Sequence, residues 1–323
     1  KSEGSGGSLE ISSGCVTVCF VLGKAWFPFT FPLAAMGLLG VLRPHREQTR
    51  VPVGTFRERL GFTNPNGTNG MLVQAFYPAE ANGSPLTQEM PLIRDEVLSS
   101  IHEFMGIPLW AMRSLVGGYA QLDPPLPPAQ PKAGEKWPLA VFSSGLMGSC
   151  EMYTQFCRDL AAQGMIVLAL EHEDGSGIHA TTSAGSRVAY VRPPKGATTK
   201  EFRRPFLEFR RTELAAATDA ILGLAKGQAT DSKRSPLAEV LGMGDASDLV
   251  LLAHSFGAAG SLYYLRELAE SEPAKCPYRL AVLLDLWTEP LPPAMLEGTP
   301  PVPISAARSL ERQVLADAEQ LMN

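Results

Sequence analysis

Short unbroken apolar runs alternate along this chain with longer stretches in which apolar residues recur at helical spacing. The unbroken runs lie within Pro138–Phe142, Met165–Leu170, Leu249–Ala253 and Arg279–Asp285. A run of that length with no polar side chain on either face predicts a strand buried on both sides, the signature of a parallel sheet covered by helices. Between the runs, Met152–Gln163 (stopped by Gly164), Arg203–Ala225 and Ser261–Ala269 carry the helical spacing. Upstream, Met71–Tyr77 alternates in part and predicts an early strand ending at Pro78. Residues 95–120 predict a helix, 80–90, 122–138 and 176–200 predict loops, and Leu310–Met322 predicts a last helix. The expected fold class is α/β, a doubly wound, mostly parallel sheet, in one domain.

The amino-terminal part breaks this rhythm. Residues 1–13 are rich in Gly and Ser and predict disorder. Residues 14–48 form an apolar segment. Within it Ala25–Leu42 is an uncharged stretch of 18 residues, at the lower limit for a membrane span. Pro28, Pro32, Trp26, Phe27, Phe29 and Phe31 kink it and make it aromatic, and Arg43, His45, Arg46 and Arg50 follow. Three readings stay open: an interfacial or anchoring membrane segment, a signal or targeting segment, and a piece packed on the core. A membrane-associated or secreted location is favoured over a free cytosolic one. The first residue, Lys1, reads as the start of a processed chain or a fragment. The remaining 49–323 is the expected catalytic-type domain.

Composition adds exclusions. A net charge of -5 without a basic cluster argues against a nucleic-acid partner. The five cysteines (Cys15, Cys19, Cys150, Cys157 and Cys276) show no Cys-x-x-Cys and no His at metal spacing. Neither a zinc site nor a disulfide scaffold is expected, and no cofactor is implied.

The chemistry concentrates after the third apolar run. In Ala253-His-Ser-Phe-Gly257, a serine sits between a buried strand and a helix, with small residues two places before and after it. That is the layout of a nucleophile elbow, with Ser255 as the nucleophile and Ala253 where a glycine is usual. A serine hydroxyl needs a base, an acid that orients the base, and donors for the oxyanion. Asp285, ending the next apolar run, is the candidate acid, and Glu289 is second choice. The expected oxyanion donors are the backbone amides of Phe256, next to the serine, and of Leu146, in the loop Ser144–Gly148. The base is missing from this picture. Every histidine (45, 102, 172, 179 and 254) precedes Asp285. His254 is expected to point away from the reaction, and neither His172 nor His179 is expected to substitute. The cluster Glu171–Asp174 predicts a local hydrogen-bond network rather than a metal site.

Several segments together carry a family likeness. They are Val73–Pro78, Trp137–Leu146, Asp159–Val167, Leu170-Glu-His-Glu-Asp-Gly-Ser176, His254-Ser-Phe-Gly257 and Leu284-Asp-Leu-Trp-Thr-Glu-Pro-Leu291. In this combination and order the chain resembles the platelet-activating factor acetylhydrolase family, the plasma and intracellular type II enzymes of the α/β-hydrolase fold. The resemblance covers roughly residues 50–300. It implies Ser255 as nucleophile, Asp285 as triad acid, and Leu146 with Phe256 as oxyanion donors. It further implies calcium-independent removal of acetyl or short acyl groups from the sn-2 position of phospholipids, at a membrane or lipoprotein surface. Two departures from the family pattern are Ala253 and Ser144, which stands where a His usually precedes Gly-Leu. The third is the triad His, which in the family lies in a later Gly-x-x-His segment. Its absence leads us to expect a chain cut before its last strand or strands, and inactive as it stands. A broader carboxylesterase of the same fold, and a catalytically dead lipid-surface module, are the alternatives.

Overall fold

The computed structural model describes residues 16–19, 51–63, 67, 69–80, 90–117, 121–122, 126–228, 235–271 and 276–295. In chain order the elements are β1 (Val16–Cys19), β2 (Val53–Thr63), β3 (Asn69–Pro78), β4 (Met90–Pro91), α1 (Asp95–Met105), α2 (Leu109–Gly117) and β5 (Gln121–Leu122). They continue with β6 (Trp137–Ser143), α3 (Thr154–Ala162), β7 (Ile166–Leu170), β8 (His179–Thr181), β9 (Arg187–Ala189) and α4 (Thr199–Ala225). The last are α5 (Pro236–Gly242), β10 (Gly244–His254), α6 (Phe256–Ser271) and β11 (Tyr278–Leu284).

Seven strands form one sheet in the order β1-β11-β10-β6-β7-β3-β2. The five from β1 to β7 run parallel, and β3 and β2 close the far edge antiparallel. The apolar runs are buried on both faces because each face has its own helical cover. Leu139, Val141, Leu249 and Leu251 point into a cluster with Leu214, Ala217 and Ile221 of α4, Leu237 and Leu241 of α5, and Leu265 of α6. Their neighbours Ala140, Phe142, Val250 and Leu252 point the other way, onto Cys157, Ala161 and Ala162 of α3. The period-two alternation is therefore between two dry faces, and it leaves no polar signal in the sequence. This is the doubly wound α/β arrangement expected from the pattern.

The structure departs from the sequence reading in four places. The single helix over 95–120 is two helices, because Gly106 takes a left-handed φ of 73° and returns its N–H to the His102 carbonyl. Pro108 then separates α1 from α2. The loop at 176–200 contains a small hairpin, β8 with β9. Strand β2 was not legible. Its Arg57, Glu58 and Arg59 interrupt the apolar pattern, yet Arg57 and Arg59 are held by distant partners described below. The fourth is at the amino terminus, where Val16–Cys19 lies parallel to β11, pairing Val16 with Leu280 and Cys19 with Leu283. That places these four residues of the apolar segment in the sheet. Residues 1–15, residues 20–50 and the helix expected at 310–322 lie outside the described residues. Among the described residues no helix is long and apolar enough to cross a membrane.

Candidate active site

The carboxyl ends of β6, β10 and β11 lie side by side, with Ser143 paired to Ala253 and His254 paired to Leu284. In an open α/β sheet this end gathers functional groups. Three of the chain's residues meet here with a backbone that L side chains avoid: Met147 (φ 60°), Ser255 (φ 53°) and Asp285 (φ 45°). They are the only non-glycine residues with positive φ among those described. Such strain persists only where the surroundings over-determine it.

The surroundings of Ser255 do so. Its N–H donates to the Leu284 carbonyl at 2.9 Å, and its own carbonyl accepts from Ala259 at 3.0 Å and Trp287 at 3.4 Å. Helix α6 starts at the very next residue, so the serine is the pivot between strand and helix. Two places on, a Cβ at Gly257 would lie 2.3 Å from the Ser143 carbonyl oxygen. Only glycine lets α6 approach β6 that closely. Ala253, two places before, is buried and packs with Leu207, Phe256 and Leu283. The methyl that departs from the usual pattern is absorbed on the core side. The left-handed turn also sets a stability order for substitutions. Ser255→Gly is expected to melt about 2–4 °C above Ser255→Ala, since alanine bears roughly 1 kcal/mol of strain at that φ. Thermal unfolding of the two variants checks it.

The donors expected for an oxyanion converge on this serine. The Phe256 N–H, first in α6, is one of those a helix leaves without an intrahelical acceptor. Across from it, the loop after β6 packs so tightly that a Cβ on Gly145 would lie 3.3 Å from Ser255 Cβ. Leu146, the next residue, packs in the Phe256 cluster, and its N–H has no acceptor among the described residues. The loop is fixed on both sides of Leu146. The Gly145 N–H donates to the Tyr153 hydroxyl at 3.2 Å. The Met147 N–H donates to the Ser176 carbonyl at 2.8 Å.

Asp285 is brought to the site but is not buried as a carboxylate ending an apolar run would suggest. Its side chain is 59% exposed and lies 4.0 Å from His254 Nε2. Glu289, the second choice, is exposed and accepts a long bond from the Trp287 indole at 3.4 Å. Among the described residues no histidine hydrogen-bonds the Ser255 hydroxyl. His254 has its Nδ1 at 2.8 Å from the Tyr153 hydroxyl and its Nε2 towards Asp285. Burial pushes its pKa down, against a smaller upward pull from Asp285. His172 is wholly buried between Ser143 Oγ (2.8 Å) and Glu213 (3.0 Å). Burial, reinforced by Arg210, holds it well below the ordinary range, so the ring is neutral. His179 sits between Ser100 (2.9 Å) and Thr181 (3.0 Å), remote from the serine.

Residues 47–322 match the family described as platelet-activating factor acetylhydrolase, isoform II. The chain belongs to this family. It is 27% identical over 275 residues to a platelet-activating factor acetylhydrolase of Canis lupus familiaris, covering 78% of this chain and 59% of that one. It is 25% identical over 288 residues to the Bos taurus protein of the same name, covering 85% and 62%. A putative phospholipase A2 of Schizosaccharomyces pombe is 25% identical over 262 residues, covering 68% and 57%. The chain thus spans about three fifths of the length of these relatives. With the sheet order and the elbow, membership makes this an α/β-hydrolase fold.

In this member of the acetylhydrolase family the elbow rests on a buried charge network that the sequence did not reveal. The side chains of the four residues Glu171–Asp174 fan out to different partners. Glu171 pairs with Arg94 and accepts the Thr181 N–H at 3.2 Å. His172 reaches Ser143 and Glu213, Glu173 pairs with Arg59 at 2.9 Å, and Asp174 pairs with Arg210 at 3.0 Å. This is a hydrogen-bond network, as expected, but its partners are far apart in the chain. Among the described residues no group of three His, Cys, Asp or Glu is placed to hold a metal. Arg210 is its innermost member. From α4 its guanidinium donates to the Ser144 carbonyl and to Ser176 Oγ, both at 2.5 Å, and stacks 5.0 Å from the Phe256 ring. It therefore touches the loop that carries Leu146 and the residue that follows Ser255. No motif marks it, because an arginine on a long amphipathic helix reads as solvated.

The same network gives a pH dependence. Burial, with a further push from Arg94, lowers His179 to about 4. A histidine that folds neutral contributes its stability above its ordinary pKa of 6.5 and loses it as pH falls towards 4. Melting temperature is therefore expected to fall across that window, and His179→Gln to flatten the fall. A pH series of melting curves for both proteins checks it.

Proposed function

We propose that this chain carries the nucleophilic half of a serine esterase acting on the sn-2 acetyl or short acyl ester of platelet-activating-factor-like phospholipids. The observation that carries it is the convergence of Ser255, Asp285 and the Leu146–Met147 loop, each with strained backbone, at one end of the sheet. Ser255 is the nucleophile, Asp285 the triad acid, and the Leu146 and Phe256 amides receive the oxyanion of the tetrahedral intermediate. The chemistry needs neither calcium nor another metal, since acyl transfer is served by a hydroxyl and backbone donors. The names of the relatives support the acetylhydrolase and phospholipase A2 reading of the substrate. The partner is a phospholipid at a membrane or lipoprotein surface.

The hydroxyl still needs a base. With no histidine after Asp285 in these 323 residues, this chain is expected to hydrolyse esters about 10⁴-fold or more below a complete triad. The test is prolonged treatment of the full chain with a fluorophosphonate, mapped by mass spectrometry, beside acetate release from an acetyl ester. Slow modification of Ser255, lost in Ser255→Ala, and acetate release close to the blank are expected. Modification at another residue would overturn the assignment. Rapid release from long sn-2 chains as well as acetyl would favour a broader carboxylesterase. Vesicle binding with no modification of Ser255 would favour a catalytically dead lipid-surface module.

A further inference from the structure

Resting on that reading of the site, a second device is visible behind the serine. Gly145 N–H, Tyr153 Oη and His254 Nδ1 form a hydrogen-bonded line, and His254 Nε2 faces Asp285 beyond it at ion-pair distance. The steps are 3.2 Å from the Gly145 nitrogen to the Tyr153 oxygen, 2.8 Å from that oxygen to Nδ1, and 4.0 Å from Nε2 to Asp285 Oδ2. One end is the peptide next to the Leu146 amide. The other is the candidate triad acid.

Proton counting fixes the directions. The Gly145 amide is a donor, so the tyrosine oxygen accepts from it. The tyrosine's one proton finds an acceptor among the described residues only at Nδ1, and only if Nδ1 is unprotonated. The ring is neutral, with its proton on Nε2 and aimed at Asp285. We propose that Tyr153 and His254 are positioning residues that hold the Gly145–Leu146 peptide in its oxyanion-binding orientation, and that protonation of His254 releases it.

The release follows from the single proton of the Tyr153 hydroxyl. When Nδ1 gains a proton it becomes a donor, and the tyrosine hydroxyl loses its acceptor. The Tyr153 ring packs against those of Phe142 and His254, at centroid distances of 4.5 Å and 5.6 Å. The half-buried hydroxyl then turns its proton away from Nδ1 towards the side from which the Gly145 N–H donates, and that amide loses its acceptor. The charged and titratable groups that bear on this pair are few. Asp285 faces His254, favouring its cation, while Arg210 and Cys157 act on Tyr153 from α4 and α3. Burial opposes the cation on His254 and, as the larger effect, keeps the ring neutral near neutral pH.

The test needs no turnover. In the full chain labelled with nitrogen-15 at glycine and histidine, NMR is expected to show His254 protonated on Nε2 and bare on Nδ1. On acidification the Gly145 amide resonance is expected to move with the same midpoint as the His254 ring. Tyr153→Phe, which keeps the ring and the packing, is expected to abolish the Gly145 response. It should also raise the His254 midpoint, because the neutral ring loses its donor. A Gly145 resonance that ignores His254, or follows it equally in Tyr153→Phe, would overturn the relay. Failure of Ser255 to react while Gly145 follows His254 would instead count against the esterase reading alone.

Discussion

Arg210→Met is expected to lower the melting temperature by about 10 °C and to abolish modification of Ser255. The size follows from what the guanidinium leaves behind. Asp174 has no exposed side-chain surface, and its ion pair with Arg210 is one of the buried links that tie the Glu171–Ser176 segment to α4. Removing one member of a buried pair costs about 3–5 kcal/mol, because the other charge stays buried. A domain of this size shifts by about 2–4 °C per kcal/mol. Arg210→Lys keeps the charge but cannot fork to Asp174, Ser144 and Ser176 together, so it should fall between the two. The orphan-charge explanation has its own check. Adding Asp174→Asn to Arg210→Met should cost little more, so the double variant must be more stable than the sum of the singles. Full additivity would mean that lost packing against Phe256, rather than the stranded carboxylate, dominates.

Gly257→Ala is expected to cost about 3 kcal/mol and to suppress the reactivity of Ser255 at least a hundredfold. The added carbon would sit 2.3 Å from the Ser143 carbonyl and 2.5 Å from that of Ser144. Both are backbone atoms at the end of a central strand, so no rotamer relieves the clash and α6 must slide away from β6. Since Phe256 opens that helix, its amide leaves the oxyanion position together with the clash. Ala253→Gly is the matched control at the other side of the elbow. There the methyl already fits among core side chains, and its loss should cost about 1 kcal/mol or less with reactivity kept. Denaturant melts and fluorophosphonate labelling rates on the pair decide it. Equal losses for the two variants would mean that the close approach at Gly257 does not set the elbow.

These variants also mark the border between what is local in this protein and what is not. The sequence by itself determined four of the five strands of the parallel sheet, because a run such as Leu249–Ala253 must be buried on both faces and few structures permit that. It determined the elbow as well, since the spacing of Ser255 and Gly257 answers to backbone sterics within five residues. Asp285 was legible as a candidate acid for a similar reason, sitting where an apolar run stops beside the serine strand. Its openness to solvent was not, because exposure depends on what packs above it.

The tertiary structure alone decided the rest. Strand β2, unassigned in the sequence with Arg57, Glu58 and Arg59 inside it, is held because Arg57 meets Glu151, with its guanidinium also bonded to the Leu92 carbonyl at 2.8 Å, and Arg59 meets Glu173. The four residues from Glu171 to Asp174 looked like one cluster, yet their side chains reach different partners, since neighbouring side chains leave the backbone in different directions. Arg210 and Tyr153 carried no motif, yet both grip the loop beside Ser255. In each case the deciding partner lies between 8 and 114 residues away. Burial removes the option of a water partner, so a polar side chain in the interior is defined by whatever the fold brings to it.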